Sequence, residues 1–373
     1  MFAFDPLGFD QEHFFFCSLA LKLLNWVTMQ ILEQNKKLLV AFSMSAACLL
    51  TLPCLAQGTP SGTPPPSRSE PQPYSGNRPQ SIKDGVQIQT AYREDLVAME
   101  DAIPTKAPAK PKQPRKVLVL CKAAGYVHSS IPLAAETVKA MGEKTGAYTA
   151  TISYDSADIT ATNLAQYDAI FLDSTTLAFL DDPRDAAATE ARKKALMDFV
   201  RGGKGLVGIH AAVDTYHTAE HASDAPPTGT WPEFNTMIGG YFKFHWVYPQ
   251  VLTVKIDDPR SPLTSMFHGQ EFQIHDETYT MVQDSFSRKN VHVLTSIDYT
   301  KMSDEDKAKE KYKRTDGDYA LSWIRREGKG RVFIEVLGHS EHIYSNTPMM
   351  EHVLAGLQYA LGDLKADDSP SAK

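Results

Sequence analysis

Cysteine is scarce in this chain of 373 residues. There are four, and three of them (Cys17, Cys48 and Cys54) fall within the first 56 positions. If that segment is removed, Cys121 alone remains, which excludes an internal disulfide and a cysteine-based zinc site. A surplus of positive charge is also missing. Lysine and arginine total 38 against 45 acidic residues, a formal net charge of −7. Outside the proline-rich segment no basic stripe with interleaved aromatics occurs, so nucleic acid is excluded as a partner.

A long spanning run is lacking as well. The apolar stretch 38–55 is short for a transmembrane helix and contains Pro53. Lys36 and Lys37 precede it and Ala56 stands at its end, so residues 29–56 read as a cleavable secretory signal peptide. An uncleaved anchor is the alternative. Lipidation at Cys48 or Cys54 fits less well, because Ser45-Ala46-Ala47 and Leu52-Pro53 are poor contexts. Met29 reads as the start, with residues 1–28 as a leader. The expected location is periplasmic or secreted, with the membrane touched only through the signal segment.

Eleven of the 23 prolines lie in residues 58–114. Residues 57–114 therefore read as a proline-rich linker that cannot bury a core of its own, apart from a short amphipathic stretch at 92–99 that can dock as a helix. Residues 115–364 are expected to form one α/β domain of about 250 residues, and 365–373 a disordered tail. Strand-like apolar runs at 116–121, 148–154, 169–172 and 205–209 alternate with helical spacing at 131–144 and 189–200. That alternation predicts a doubly wound, mostly parallel sheet with flanking helices. Runs at 251–256, 272–275, 292–297, 320–325 and 331–337 extend it with antiparallel strands, and a helix over 349–361 closes the domain. Residues 303–312 are highly charged and read as an exposed insertion.

The turn after the fourth strand, Gly208-Ile209-His210-Ala211-Ala212, sits where many α/β enzymes hold a nucleophile. Its tip carries neither cysteine nor serine. An imidazole there can be a base, a metal ligand or a hydrogen-bonding group, but it is a poor acyl carrier. In such sheets the site lies beyond the carboxyl ends of the strands. That rule selects residues 125–129, 173–176 and 210–214, and with them His128, His210, His339 and the pair Asp276-Glu277. His245 follows the glycines at 239–240. Imidazoles and carboxylates arriving from separate loops suit an acid–base pair or a divalent ion such as zinc, held by His128, His210 and His339. The plain alternative is that each caps a helix or satisfies a loop carbonyl.

In chain order, Val127-His128-Ser129-Ser130-Ile131-Pro132, Val207-Gly208-Ile209-His210-Ala211-Ala212 with Asp214, Ile238-Gly239-Gly240-Tyr241 with His245, Asp276-Glu277-Thr278-Tyr279, and Gly330-Arg331-Val332-Phe333 leading to Gly338-His339 resemble the ThuA (trehalose utilisation) family. The resemblance spans 115–364 and implies a fold like that of class I glutamine amidotransferases, with His210 in place of their cysteine. It implies a small-molecule carbohydrate or keto-sugar derivative as substrate. A sugar-modifying or hydrolytic activity would use His210, His128, His339, Asp276 and Glu277, with Asp214, His245, Trp246 and Tyr279 contacting the sugar. A non-catalytic carbohydrate-binding or accessory protein is the competing expectation; a glutaminase is not. Two departures stand out: Phe244-His245-Trp246 where the family commonly has Gly-His-Pro, and a polar loop inserted at 217–230.

That loop contains His217-Thr218-Ala219-Glu220-His221, the pattern of inverted zinc peptidases. Ser223, Pro226, Pro227 and Gly229 follow too soon for a buried helix, so the match is a decoy. Cys121, ending the first strand among apolar neighbours, reads as a small core residue and not as a nucleophile.

Overall fold

The structure is a computed structural model and describes residues 82–83, 86–87, 89–217, 230–310 and 313–372. The leader, the signal segment, the linker up to residue 81 and most of the inserted loop lie outside the described residues. Among the described residues no helix is long and apolar enough to cross a membrane.

Nine strands form one sheet: β1 (Lys116–Leu120), β2 (Thr149–Ser153), β3 (Ala169–Asp173), β4 (Gly205–Ile209), β5 (Phe242–Ile256), β6 (Phe272–Met281), β7 (His292–Ile297), β8 (Ala320–Glu327) and β9 (Gly330–Glu335). Their spatial order is β2-β1-β3-β4-β9-β8-β7-β5-β6. The first five in that order run parallel, and the remaining pairs are antiparallel. This is the expected class, a parallel half extended by an antiparallel half. β3 and β4 are buried along their whole length, as central parallel strands covered on both faces must be. The long helices are α1 (Arg93–Ala102), α2 (Ile131–Thr145), α3 (Ala186–Arg201) and α5 (Thr347–Ala360); α4 (Pro232–Ile238) is shorter. Leu133, Val138 and Met141 of α2 and Ala195, Leu196 and Phe199 of α3 face inward, as their spacing predicts.

The helix expected at 92–99 is present as α1, docked through Met99 and Ile103, and the charged segment is mostly exposed as expected. The rest of the linker and the tail differ from the sequence reading, held by polar contacts. The linker is docked from α1 onward. Ala109 donates its amide to Gln358 Oε1 (2.8 Å) and accepts from Gln358 Nε2 (2.6 Å), so this side chain acts as a strand partner. Arg115 forks onto Asp363 at 2.9 and 2.7 Å. The tail is not loose: Ser371 and Ala372 donate to the carbonyls of Val291 and Arg288, and Tyr359 holds Asp368 at 2.8 Å. The charged segment contains a short helix, Asp304–Lys309. Beyond it Glu310 is buried and accepts from the Tyr319 hydroxyl (2.8 Å).

At the end of β3, Asp173 is fully buried. Its Oδ2 lies 3.5 Å from Cys121 Sγ, and its Oδ1 has no hydrogen-bond partner. Burial drives its pKa well above the carboxylate range, against a smaller opposing effect of the Cys121 contact. The native state therefore keeps a proton that the unfolded chain releases above pH ~4. Stability must fall as pH rises from there towards the raised native pKa, by up to about 1.4 kcal/mol per unit. Asp173→Asn is expected to flatten this slope and to be more stable than wild type at pH 8, with the advantage shrinking by pH 5. Urea titrations at the two pH values check it, and parallel behaviour of the two proteins would contradict it.

Candidate active site

The tip of the turn after β4 is tight in two ways. His210 has φ +48°, in the left-handed region where a side chain is strained. Gly208 has no room for a side chain, because a Cβ there would lie 2.9 Å from Ile334 Cδ1 and 3.0 Å from Ala212 Cβ. The strained residue is thus held by close packing below it, and His210 opens the buried turn His210–Val213. Its Nδ1–H donates to the Val336 carbonyl at 2.9 Å. In the neutral ring that fixes the tautomer and leaves the Nε2 lone pair pointing into the site.

Two more imidazoles meet it from the loops after β1 and β9. His128 Nε2 lies 3.1 Å from His210 Nε2, and His128 Nδ1 has no hydrogen-bond partner. His339 follows Gly338, whose carbonyl accepts from Ser130 Oγ (3.1 Å) and the Tyr344 hydroxyl (3.0 Å).

The carboxylate comes from elsewhere. β5 pairs with β7 only through residues 254–256, so its earlier part continues with β6 as a separate two-stranded ribbon. The register shifts between Trp246 and Gln250, a bulge that re-aims the side chains beside it. The ribbon delivers Glu277. Its Oε2 lies 3.0 Å from His339 Nδ1, 3.4 Å from His210 Nε2 and 4.0 Å from His128 Nε2. Its Oε1 lies 2.8 Å from His245 Nδ1.

Charge is shared unevenly across this cluster. Burial opposes ionisation of Glu277, but its contacts with His210, His245 and His339 outweigh that and hold its carboxyl far below the usual range. Burial, with His210 and His339 beside it, pushes His128 down, so it stays neutral. Burial works against charge on His339 too, yet Glu277 prevails and its imidazole is shifted up. Burial and then Glu277 keep the Tyr279 hydroxyl protonated.

His128, His210, Glu277 and His339 each present one donor atom, all within 4.8 Å of one another, and could hold a metal ion. The fit is chemical as well as spatial. Donors bound tetrahedrally at about 2.1 Å lie about 3.4 Å apart, close to three of the separations above. Two buried ring nitrogens at 3.1 Å need a shared proton or a shared cation between them.

The other sequence candidates divide. Tyr279 lies two residues along the strand from Glu277, and its ring packs 4.4 Å from that of His210. His245 joins the cluster through Glu277. Asp276 does not join it. The sequence reading put Asp276-Glu277 in a loop where both could converge, but they lie inside β6, and strand alternation sends them to opposite faces. Asp276 instead accepts from the amides of Gly338 (2.7 Å), His339 (3.2 Å) and Ser340 (3.0 Å) and from Ser340 Oγ (2.8 Å). It positions the His339 loop. Trp246 also turns away: it is buried, and its indole N–H donates to the Asp306 carbonyl at 2.8 Å. Asp214 holds His217 at 2.6 Å; Glu220 and His221 of the decoy motif lie outside the described residues.

The sequence reading missed the Val336 carbonyl, which carries no side-chain signal. It also passed over Tyr126, although the strand-end rule had selected its loop.

A family model for ThuA, described as trehalose utilisation, matches residues 116–360. No curated protein matches. Among solved structures the chain is similar to a ThuA-like protein from Bacteroides uniformis, at 20% identity over 69% of this chain and 95% of that one, with a TM-score of 0.52. A ThuA-like protein from Parabacteroides merdae is similar at 17% identity over 69% and 96%, with a TM-score of 0.45. At 20% identity the Bacteroides likeness is one of fold.

Proposed function

The chain belongs to the ThuA (trehalose utilisation) family, and on that premise we propose that it acts outside the cytoplasm on a carbohydrate or keto-sugar derivative, with the His/Glu cluster as its reactive centre. The reactive centre rests on the convergence of three imidazoles and a carboxylate at the tip of a strained turn, the substrate class on the family, and the location on the signal-like segment 29–56. Zinc or a similar ion held by His128, His210, His339 and Glu277 would supply a Lewis acid and an acidified water. The chain's own contribution is orientation. Val336 fixes the His210 ring, Asp276 fixes the His339 loop, and His245 holds the far oxygen of Glu277 while remaining 36% exposed itself. His245 is therefore the member of the group best placed to meet a substrate hydroxyl.

Acyl transfer from glutamine has no support. The elbow has no thiol, and Cys121 is fully buried, with burial and then Asp173 raising its pKa well above the usual value. A non-catalytic carbohydrate-binding role is the second reading, favoured by the near-complete burial of His128 and His210.

Mature protein loaded with zinc and incubated with trehalose, other oligosaccharides and their keto derivatives, followed by NMR, tests the proposal. Product that disappears in His210→Ala supports the enzyme, and binding without product supports the second reading. No binding of any sugar would overturn both. Glutamine should yield no ammonia, and N-terminal sequencing of the exported protein should start near Gln57.

A further inference from the structure

We propose that Tyr126 is the platform on which a pyranose ring stacks at the mouth of the His128–His210–His339–Glu277 cluster. The proposal rests on the carbohydrate reading above and names the shape that the site selects.

Tyr126 is 50% exposed, whereas Tyr279 and Phe242 are buried and Phe244, stacked on His245, is half-buried. Its ring stands edge-on to His128, with centroids 4.7 Å apart and planes at 69°. One face of the site is thus an aromatic surface a single ring away from a candidate metal ligand. The exposure does not come from a loose loop. Ala124 donates to the Thr176 carbonyl (3.3 Å), and Gly125 donates to Thr176 Oγ1 (2.7 Å). The Tyr126 carbonyl accepts from the same hydroxyl at 3.4 Å. At Gly125 a Cβ would lie 2.7 Å from the Leu177 side chain, so the loop is packed tightly against its neighbour. Val127 and His128, next along the chain, are buried. An aromatic ring is therefore held half in solvent between a packed loop on one side and the buried Val127 and His128 on the other.

The chemistry selects the ligand. A pyranose has a flat C–H face and a rim of hydroxyls, so it needs an aromatic surface beside hydrogen-bonding groups. In the group around Glu277 the most exposed hydrogen-bonding side chain is His245. An open-chain polyol carries the same hydroxyls without the flat face, and phosphate needs no aromatic surface.

The experiment compares trehalose and sorbitol binding to the zinc-loaded mature protein, by calorimetry and saturation-transfer NMR. Wild type is expected to prefer trehalose. Tyr126→Ala should weaken trehalose binding about tenfold and erase the preference, with zinc uptake and melting temperature unchanged. Tyr126→Phe and Tyr126→Trp should retain the preference. If Tyr126→Ala binds trehalose as wild type does, the platform is overturned while the carbohydrate reading stands. If it loses zinc, Tyr126 is a prop for His128 and the proposal is likewise overturned. If wild type binds no saccharide, the carbohydrate reading fails and takes the platform with it.

Discussion

Metal-free protein is expected to bind one zinc ion per chain, to gain thermal stability in doing so, and to lose both properties when His210 becomes alanine. The expectation rests on how the donors are held. His210 is fixed by Val336, so its Nε2, already facing His128 and Glu277, needs no rearrangement to bind. His128 is held neutral by burial, the state a ligand must have. Glu277 is held ionised among the imidazoles. Zinc at a hundred times its dissociation constant adds about 2.7 kcal/mol, which raises the melting temperature of a domain this size by roughly 5–10 °C. His210→Ala, His128→Ala and His339→Ala should each lower affinity about a hundredfold or more, because the donors act as one set. His245→Ala touches only the far oxygen of Glu277 and should cost about tenfold. Calorimetry and thermal melts with zinc, cobalt and nickel decide it. If none of the three is taken up and none shifts the melt, the metal centre is refuted.

What the sequence disclosed of this site follows from where the signal resides. β1, β3 and β4 are continuous apolar runs, so their ends, and with them the neighbourhoods of His128 and His210, could be read directly. His339 follows β9 for the same reason. The ribbon was legible only in part: the runs at 251–256 and 272–275 were read as strands, but the first half of β5 and the second half of β6 were not. Residues 242–246 alternate, but the run is short and breaks at Val247-Tyr248-Pro249, where the register shifts, so the period that betrays a strand does not carry through to 251. Without that strand Asp276 and Glu277 looked equivalent, and Trp246 looked like a cleft residue. The docked linker and tail were hidden by a different cause. Beyond α1, which docks through Met99 and Ile103 as its spacing suggested, they are held by Gln358, Asp363 and Asp368, partners remote in sequence that composition does not report.

Asp276 and Glu277 should therefore give opposite phenotypes despite being neighbours. The Asp276 carboxylate is fully buried and accepts four hydrogen bonds, three of them from consecutive backbone amides. Alanine there strands those donors away from water. Each orphaned buried group costs about 1–3 kcal/mol, so Asp276→Ala is expected to lose about 3–5 kcal/mol and to melt roughly 10 °C lower. Its zinc affinity should fall as well, since the loop that aims His339 loses its anchor. Asp276→Asn keeps the shape but turns one acceptor into a donor facing an amide, and should fall between alanine and wild type. Glu277 anchors no backbone; it faces imidazoles and holds them in charged contact at the cost of its own burial. Glu277→Gln should melt within about 2 °C of metal-free wild type while losing most of its zinc affinity. Thermal melts and zinc titrations on the three variants distinguish the roles. Wild-type melting in Asp276→Ala, or wild-type zinc affinity in Glu277→Gln, would show that strand alternation does not divide scaffold from site here.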